Sequence, residues 1–471
     1  MQTDNNLITC IMYYSLFKKK LLRDDNQIMK YLPKNAFGIF STIRRSHKIQ
    51  TYPLDIHGCI GYWDNNFTIL SKPNLYNNGL RVSYDSVWND NRNRYFEPIQ
   101  NDPNSFLELD FMMKPIYTIN KENGFIKTLN EIFTNKIYGI IIQSKDKTSK
   151  ATYLPNIFPN ISWTKMLNSI KEKANIQTDD FELFAYKIIQ IKSKFITLLT
   201  YENFSYNSIY NFSRFLINNM NVKLSFPFVY SCKDTILQWN QTDQVRNIST
   251  LSLMYKLIDL YPTIFTKTDV ENIKKNILNI VHNIDQYSSQ SLSFLGYIYG
   301  MFNNSKDKVV FCKKLMNDFP NAENDFEKPE IFIGLVQAGC RRPNYELTYD
   351  SNDTIFKMNW IIQAIISIQK KPSKQLIYIL EDKIQTIIMN IKNTETNYIA
   401  VAFESLCFVS CSISTNKSRC LHTLFQLLFE LENRKTCHPN LYAFLDKTTS
   451  RVDITGHVNN GLFQLVKNMY I

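Results

Sequence analysis

Two rhythms of apolar and polar positions run along the chain. In the first half the period changes often. Phe37, Ile39, Ser41 and Ile43 alternate with smaller or polar neighbours, the two-residue period of a strand. Ile137–Ile142 reads as a buried strand, and Ala151–Leu154 as another, closed by Pro155. Helical patches lie at Leu75–Trp88 and Phe125–Phe133. A helix is predicted over Trp163–Ala174, capped by Ser162, with Met166, Leu167, Ile170 and Ala174 on one face. The apolar, β-rich stretch Phe181–Leu199 predicts one or two closing strands. From about Val245 only helical periods remain. Leu376, Ile377, Leu380, Ile384, Ile387, Ile388 and Ile391 follow the i, i+3, i+4, i+7 template, as do Val458, Gly461, Leu462, Leu465, Val466 and Met469. Further helices are expected from Asp269, Ser289, Asp307, Asp353, Thr396 and Lys417.

These rhythms predict an α+β (mixed α/β) domain over residues 1–205, a join over 206–244, and an all-α domain over 245–471. The join is rich in Asn, Tyr and Ser and contains the turn-prone Ser225-Phe226-Pro227. Short connections in the last part make antiparallel helix pairs the natural packing, with no strict repeat.

Composition narrows the function classes. Over 471 residues, 44% hydrophobic and 20% charged side chains are those of a globular protein. A net charge of +12 favours anionic partners, but the basic residues are scattered, with Lys18-Lys19-Lys20 and Arg44-Arg45 the longest runs. Diffuse charge of this kind is a solvated face, so nucleic-acid binding is not expected as the main function. The nine cysteines, at 10, 59, 232, 312, 340, 407, 411, 420 and 437, are irregularly spaced and odd in number. A chain this long does not need disulfide staples, which predicts a reducing cytoplasmic or nuclear setting. The apolar stretch Leu7–Phe17 is too short and polar for a signal peptide or a membrane span, and no membrane association is expected. Cys407, Cys411, Cys420 and His422 match no common zinc spacing, so no metal is expected, and no cofactor is implied.

Ile56-His57-Gly58-Cys59-Ile60-Gly61 is the most informative stretch. Two glycines bracket a cysteine at a strand end, where the backbone can turn sharply or be approached closely. On an extended backbone His57 and Cys59 point to one side. An imidazole beside a thiol favours the nucleophilic thiolate, and amides near Gly58 and Gly61 can serve as oxyanion donors. A buried structural cysteine in a tight turn has the same pattern, and both readings stand at this point. Asp90 and Arg94 either line the same cleft or form a salt bridge supporting a loop.

The stretch resembles the signature Leu-Arg-Gly-Cys-Ile-Gly of the AMME chromosomal-region candidate family. Phe37–Thr42 is similar to the strand leading to it. Ser86-Val87-Trp88 with Asp90, then Arg94-Tyr95-Phe96-Glu97-Pro98-Ile99, resembles the family's Asp-x-Arg-Phe-x-Pro element with extra residues. Gly139–Ile142, Ala151–Pro155, Trp163 and Lys173-Ala174 resemble its closing block. The likeness covers roughly residues 30 to 200. His57 stands where the family has Arg, Ile56 where it has Leu, and Asn175 where Gly follows Lys-Ala. If that Arg holds an anion, a small anionic ligand near Cys59 is implied, held by His57 only when protonated. Microbial members are often fused to or encoded beside Memo-like and radical S-adenosylmethionine proteins. The resemblance thus implies an intracellular enzyme or modification-enzyme accessory with its site around Cys59. The alternative is a non-catalytic scaffold whose helical domain binds a protein partner.

One further run stands out. Arg451-Val452-Asp453-Ile454-Thr455-Gly456-His457-Val458 is similar to helix openings in α/α-toroid proteins of the terpenoid-cyclase type. Asp453 or Thr455 is expected to cap the final helix, with His457 in its first turn.

Overall fold

The computed structural model describes residues 2–19, 25–45, 56–95, 97–119, 124–132, 137–155, 161–178, 180–200, 202–220, 225–239, 243–301, 306–322, 326–410, 417–435, 438–443 and 449–469. Cys411, Cys437, Phe96 and the end of the predicted helix at Phe133 lie outside these residues. The chain divides into two compact units, 1–198 and 199–471.

In the first unit the order is α1 (Gln2–Phe17), α2 (Asp25–Met29), β1 (Ala36–Arg44), β2 (Ile56–Trp63), α3 (Lys72–Trp88), β3 (Phe106–Ile119), α4 (Phe125–Ile132), β4 (Tyr138–Ser144), β5 (Lys150–Tyr153), α5 (Trp163–Lys173) and β6 (Phe181–Lys194). The strands form one antiparallel sheet in the order β2-β1-β3-β6-β4-β5. Alternation divides the core between its faces. Ile140 and Ile142 pack with Trp163, Met166 and Ile170 of α5, while Ile141 packs on the opposite side with Phe37, Met112 and Tyr186. Ser162 caps α5 as predicted, accepting from the Lys165 amide, and Ser71 caps α3 through the Asn74 amide. Trp88 ties the end of α3 to α1 by donating to the Ser15 carbonyl at 2.7 Å.

The central strand β3 is absent from the sequence reading. Glu108 and Asp110 are buried polar residues in it, and Pro115 interrupts its alternation, so the strand period is masked.

The second unit contains α6 (Glu202–Asn218), β7 (Val229–Ser231), β8 (Leu237–Gln238), α7 (Gln244–Leu260), α8 (Lys267–His282), α9 (Ser289–Ser293), α10 (Gly296–Met301), α11 (Lys306–Asp318), α12 (Glu327–Gln337), α13 (Ile355–Ser367), α14 (Lys374–Met389), α15 (Thr396–Ser410), α16 (Lys417–Asn433), β9 (Thr449–Arg451) and α17 (Val452–Met469). Thr266 and Asp269 form a capping box on α8, and Thr354 and Ser373 cap α13 and α14. α7 packs on α9, α9 on α12, α12 on α13, α13 on α15, α15 on α17, and α17 on α7. α8, α14, α16 and α6 lie against α7, α15, α15 and α17 respectively.

Three expectations change here. The segment 206–244 is not a bare join: it carries most of α6, with Ile209, Phe212, Phe215 and Leu216 buried. Buried Asn207 and Ser213 dilute that helix's apolar period. The unit is mostly helical rather than all-helical, because β7 pairs with both β8 and β9. Finally, not all cysteines are free. Cys312 is bonded to Cys340, with Cα atoms 5.6 Å apart, and Cys232 is also disulfide-bonded. Disulfides are typical of oxidising compartments, whereas the expected reducing setting assumed reduced thiols. The pairing depends on α11 and the end of α12 meeting in space, which residue spacing does not reveal. Among the described residues no helix is long and apolar enough to cross a membrane.

Candidate functional site

Cys59 lies on the edge strand β2 opposite Thr42. Its amide donates to Asp90 Oδ2 at 3.0 Å and its carbonyl accepts from Arg92 Nη2 at 3.0 Å. A carboxylate–guanidinium pair thus satisfies the strand edge as a further strand would. Asp90 also accepts from the Arg92 amide, Nε and Nη2 at 2.9, 2.9 and 2.6 Å, which fills its acceptor sites. Burial works against the Asp90 charge, but these bonds outweigh it and hold the carboxyl below its usual range. The partner of Asp90 is Arg92; Arg94 is exposed.

The glycines keep the strand close to its neighbours. A Cβ on Gly58 would stand 2.0 Å from the Ser86 carbonyl oxygen, and one on Gly61 2.2 Å from the Phe40 ring. His57 is buried. The register shifts here, with Ile43 opposite Gly58 and Arg44 opposite Ile56, so simple alternation does not carry through His57. Burial and the charge of Arg45 lower its pKa against Asp90 and Asp102, leaving a neutral imidazole at pH 7.

The Cys59 thiol accepts a hydrogen bond from Thr42 Oγ1 at 3.2 Å. Burial pushes its pKa up, and Thr42, Arg92 and Lys173 only partly offset this. Asp110, on the unforeseen β3 beside Glu108, is another buried acid of this region. Burial lifts it to about 7 against the hydrogen bond from Gln190 Nε2 at 2.8 Å.

In the second unit a cavity of about 620 Å³ is lined from α7, α9, α12, α13, α15 and α17. At its wall Glu404 is 2% exposed and binds three side chains: Asn359 Nδ2 at 2.8 Å, His457 Nδ1 at 2.7 Å, and Asn460 Nδ2. A carboxylate on Nδ1 places the proton there, so the neutral ring presents Nε2 as an acceptor. Nε2 has no protein partner among the described residues. Burial disfavours the charged imidazole, but the charge and hydrogen bond of Glu404, with Asp453, outweigh it and raise the His457 pKa.

Glu330, also in the lining, accepts from Gln290 Nε2 at 2.7 Å. Burial lifts its pKa to about 8, with Glu327 adding and His457 opposing, so it holds its proton at pH 7. Burial lowers Lys256 to about 8. Asp453 is clamped by Arg451 and by Arg246 Nε at 3.3 Å, which outweigh burial and keep it ionised.

Arg451, Asp453 and His457 lie in the run singled out from sequence, whose two expected caps take other roles. α17 begins at Val452, so neither Asp453 nor Thr455 caps it. Asp453 instead pairs with arginines, and the Thr455 hydroxyl donates to the Arg451 carbonyl. Glu404 and Glu330 were not foreseen. For Glu404 the available signal was a lone acid in an apolar stretch, Ala400-Val401-Ala402-Phe403 before it and Leu406 after; Glu330 follows Glu327-Lys328-Pro329 and carries no such signal.

No curated protein matches the chain. Residues 10–193 match the AMMECR1 family, a span that includes the whole β1–β6 sheet up to Ser193 and all of the Cys59 region. The first unit of this chain is therefore an AMMECR1 domain.

Proposed function

We propose that this protein is an enzyme whose acid–base chemistry takes place in the cavity of the helical unit, and that the six lining helices close an α/α toroid. The toroid reading is supported by packing that runs from α7 through α9, α12, α13, α15 and α17 back to α7. The catalytic reading rests on one observation above all: His457, a lining residue of the cavity, is held by Glu404 through Nδ1 and has no protein partner at Nε2 among the described residues. In this arrangement His457 is the general base, Glu404 orients it and stabilises its charged form, and protonated Glu330 is the general acid. A carboxylic acid and an imidazole that both hold their protons more tightly than usual, within one ligand-sized cavity, support an acid–base site. In the AMMECR1 domain, a saturated Asp90 and a thiol kept undissociated support the reading of Cys59 as a structural turn cysteine rather than a nucleophile.

The test needs no substrate. Nitrogen-15 NMR of histidine-labelled protein, with His457→Gln for assignment, should show His457 protonated at Nδ1 with a pKa above 6.5. Glu404→Gln should lower that pKa. A ring protonated at Nε2, or one indifferent to Glu404→Gln, would refute the dyad.

A further inference from the structure

We infer that the ligand of this cavity is a neutral saccharide. The inference rests on the cavity being the working site, as proposed above.

Charge is the first argument. The ionic groups of the lining largely neutralise one another: Arg246 with Asp243 and Asp453, Arg451 with Asp453, and His457 with Glu404. What remains is Lys256, whose charge burial weakens, and Glu330, which is neutral at pH 7. A cavity built for a phosphate or dicarboxylate would present unpaired cations in number, as anion sites do. This one presents a nearly neutral wall.

The neutral polar side chains of the wall point the same way. Neutral hydroxyl and amide side chains supply much of the lining, among them Ser249, Thr250, Gln337, Gln363 and Asn397. Each amide among them carries both a donor and an acceptor. A hydroxyl donates and accepts at once, so adjacent hydroxyls on a ring satisfy such a pair, while a purely anionic or apolar ligand cannot. His457 Nε2 adds a group that donates when the imidazolium pairs with Glu404 and accepts when the ring is neutral, and the Glu330 acid can donate to a ring or glycosidic oxygen.

The third argument is the apolar part of the wall. Trp360 lines the cavity and is held edge-on by Phe294, with ring centres 5.8 Å apart. Phe326 and Phe356 also line it. A sugar ring has one face of C–H groups that packs on an aromatic plane while its rim of hydroxyls meets amides. A lining that combines aromatic planes with amides and carboxyls matches that division. The volume, about 620 Å³, lies within the ordinary range of ligand pockets and has room for a mono- or disaccharide.

The experiment is calorimetry and saturation-transfer NMR on the full chain with glucose, N-acetylglucosamine, maltose, cellobiose and chitobiose, and with phosphate and citrate as anionic controls. At least one neutral sugar should bind, with neither anion competing. Gln363→Leu should weaken that binding about tenfold, the loss of one buried hydrogen bond. Trp360→Ala should weaken it by more, and Trp360→Phe, which keeps an aromatic plane and guards against misfolding, should largely retain it. Binding of the anions alone, or of none of the probes, would overturn the inference. So would sugar binding indifferent to Gln363→Leu and Trp360→Ala. The His457 NMR titration on the same sample separates the two levels. If His457 titrates as proposed and no sugar binds, only the ligand class falls. If His457 is unperturbed, the acid–base reading falls as well.

Discussion

The Cys59 region and the helical cavity are both rich in polar side chains, yet they differ in what is left over. Around Cys59 every strong group named there is used. Asp90 accepts from the Cys59 amide and three times from Arg92, and Arg92 closes back on the Cys59 carbonyl. In the cavity Glu404 is equally saturated, but it passes its effect to His457, whose Nε2 stays open. A network closed on itself stabilises a fold. One that ends in an open titratable atom can also act on a ligand. The contrast shows why a conspicuous motif and a chemically equipped site need not coincide.

The comparison can be broken at each network. The largest effect is expected from Glu404→Leu. It leaves buried Asn359 without its acceptor and removes the counter-charge of His457, at a cost of about 3–5 kcal/mol. Chemical denaturation with probes in each unit should place that loss in the helical unit. Asp90→Ala should cost about 2 kcal/mol, reduced because Arg92 is 44% exposed, and the loss should fall in the AMMECR1 domain. If either substitution destabilised the opposite unit instead, the two networks would not be separate.

Glu330→Gln should show a pH signature. The folded pKa, about 8, lies above the unfolded value of 4.5, so the protonated acid favours folding fully below pH 4.5. That contribution is lost as pH rises towards 8. The Gln variant should therefore match the parent at pH 4 and exceed it at pH 8, by on the order of 2 kcal/mol. Thermal melts of the two proteins across this range check it. A constant offset would mean that Glu330 is not the titrating group.

The smallest effect concerns reactivity. With burial raising its pKa, Cys59 should be alkylated slowly at pH 7, no faster than Cys420, and Asp90→Ala should speed it by opening the strand edge. Mass-spectrometric labelling that finds Cys59 modified first would restore the nucleophile reading.

The sequence by itself determined the local parts of this protein. Ile140, Ile141 and Ile142 form a strand because they stand in a short apolar run, and Ser162 starts a helix because its hydroxyl meets the Lys165 amide. The Gly-Cys-Ile-Gly stretch, with three further blocks in matching order and spacing, pointed to the AMMECR1 domain, and its glycines meet close approaches at Ser86 and Phe40. Tertiary structure decided what depends on distant segments meeting. β3 and α6 are elements whose buried polar residues find partners or cover only in the folded chain, so their periods were blurred. Arg92 rather than Arg94 became the partner of Asp90 because a turn brings it back to the strand edge. Glu330, Glu404 and His457 lie on three helices, and the pKa values of Glu330 and His457 are set by burial and by neighbouring charges. Pairing energies of this kind fall off over a few ångströms, and residues scores of positions apart come within that range only when the helices pack.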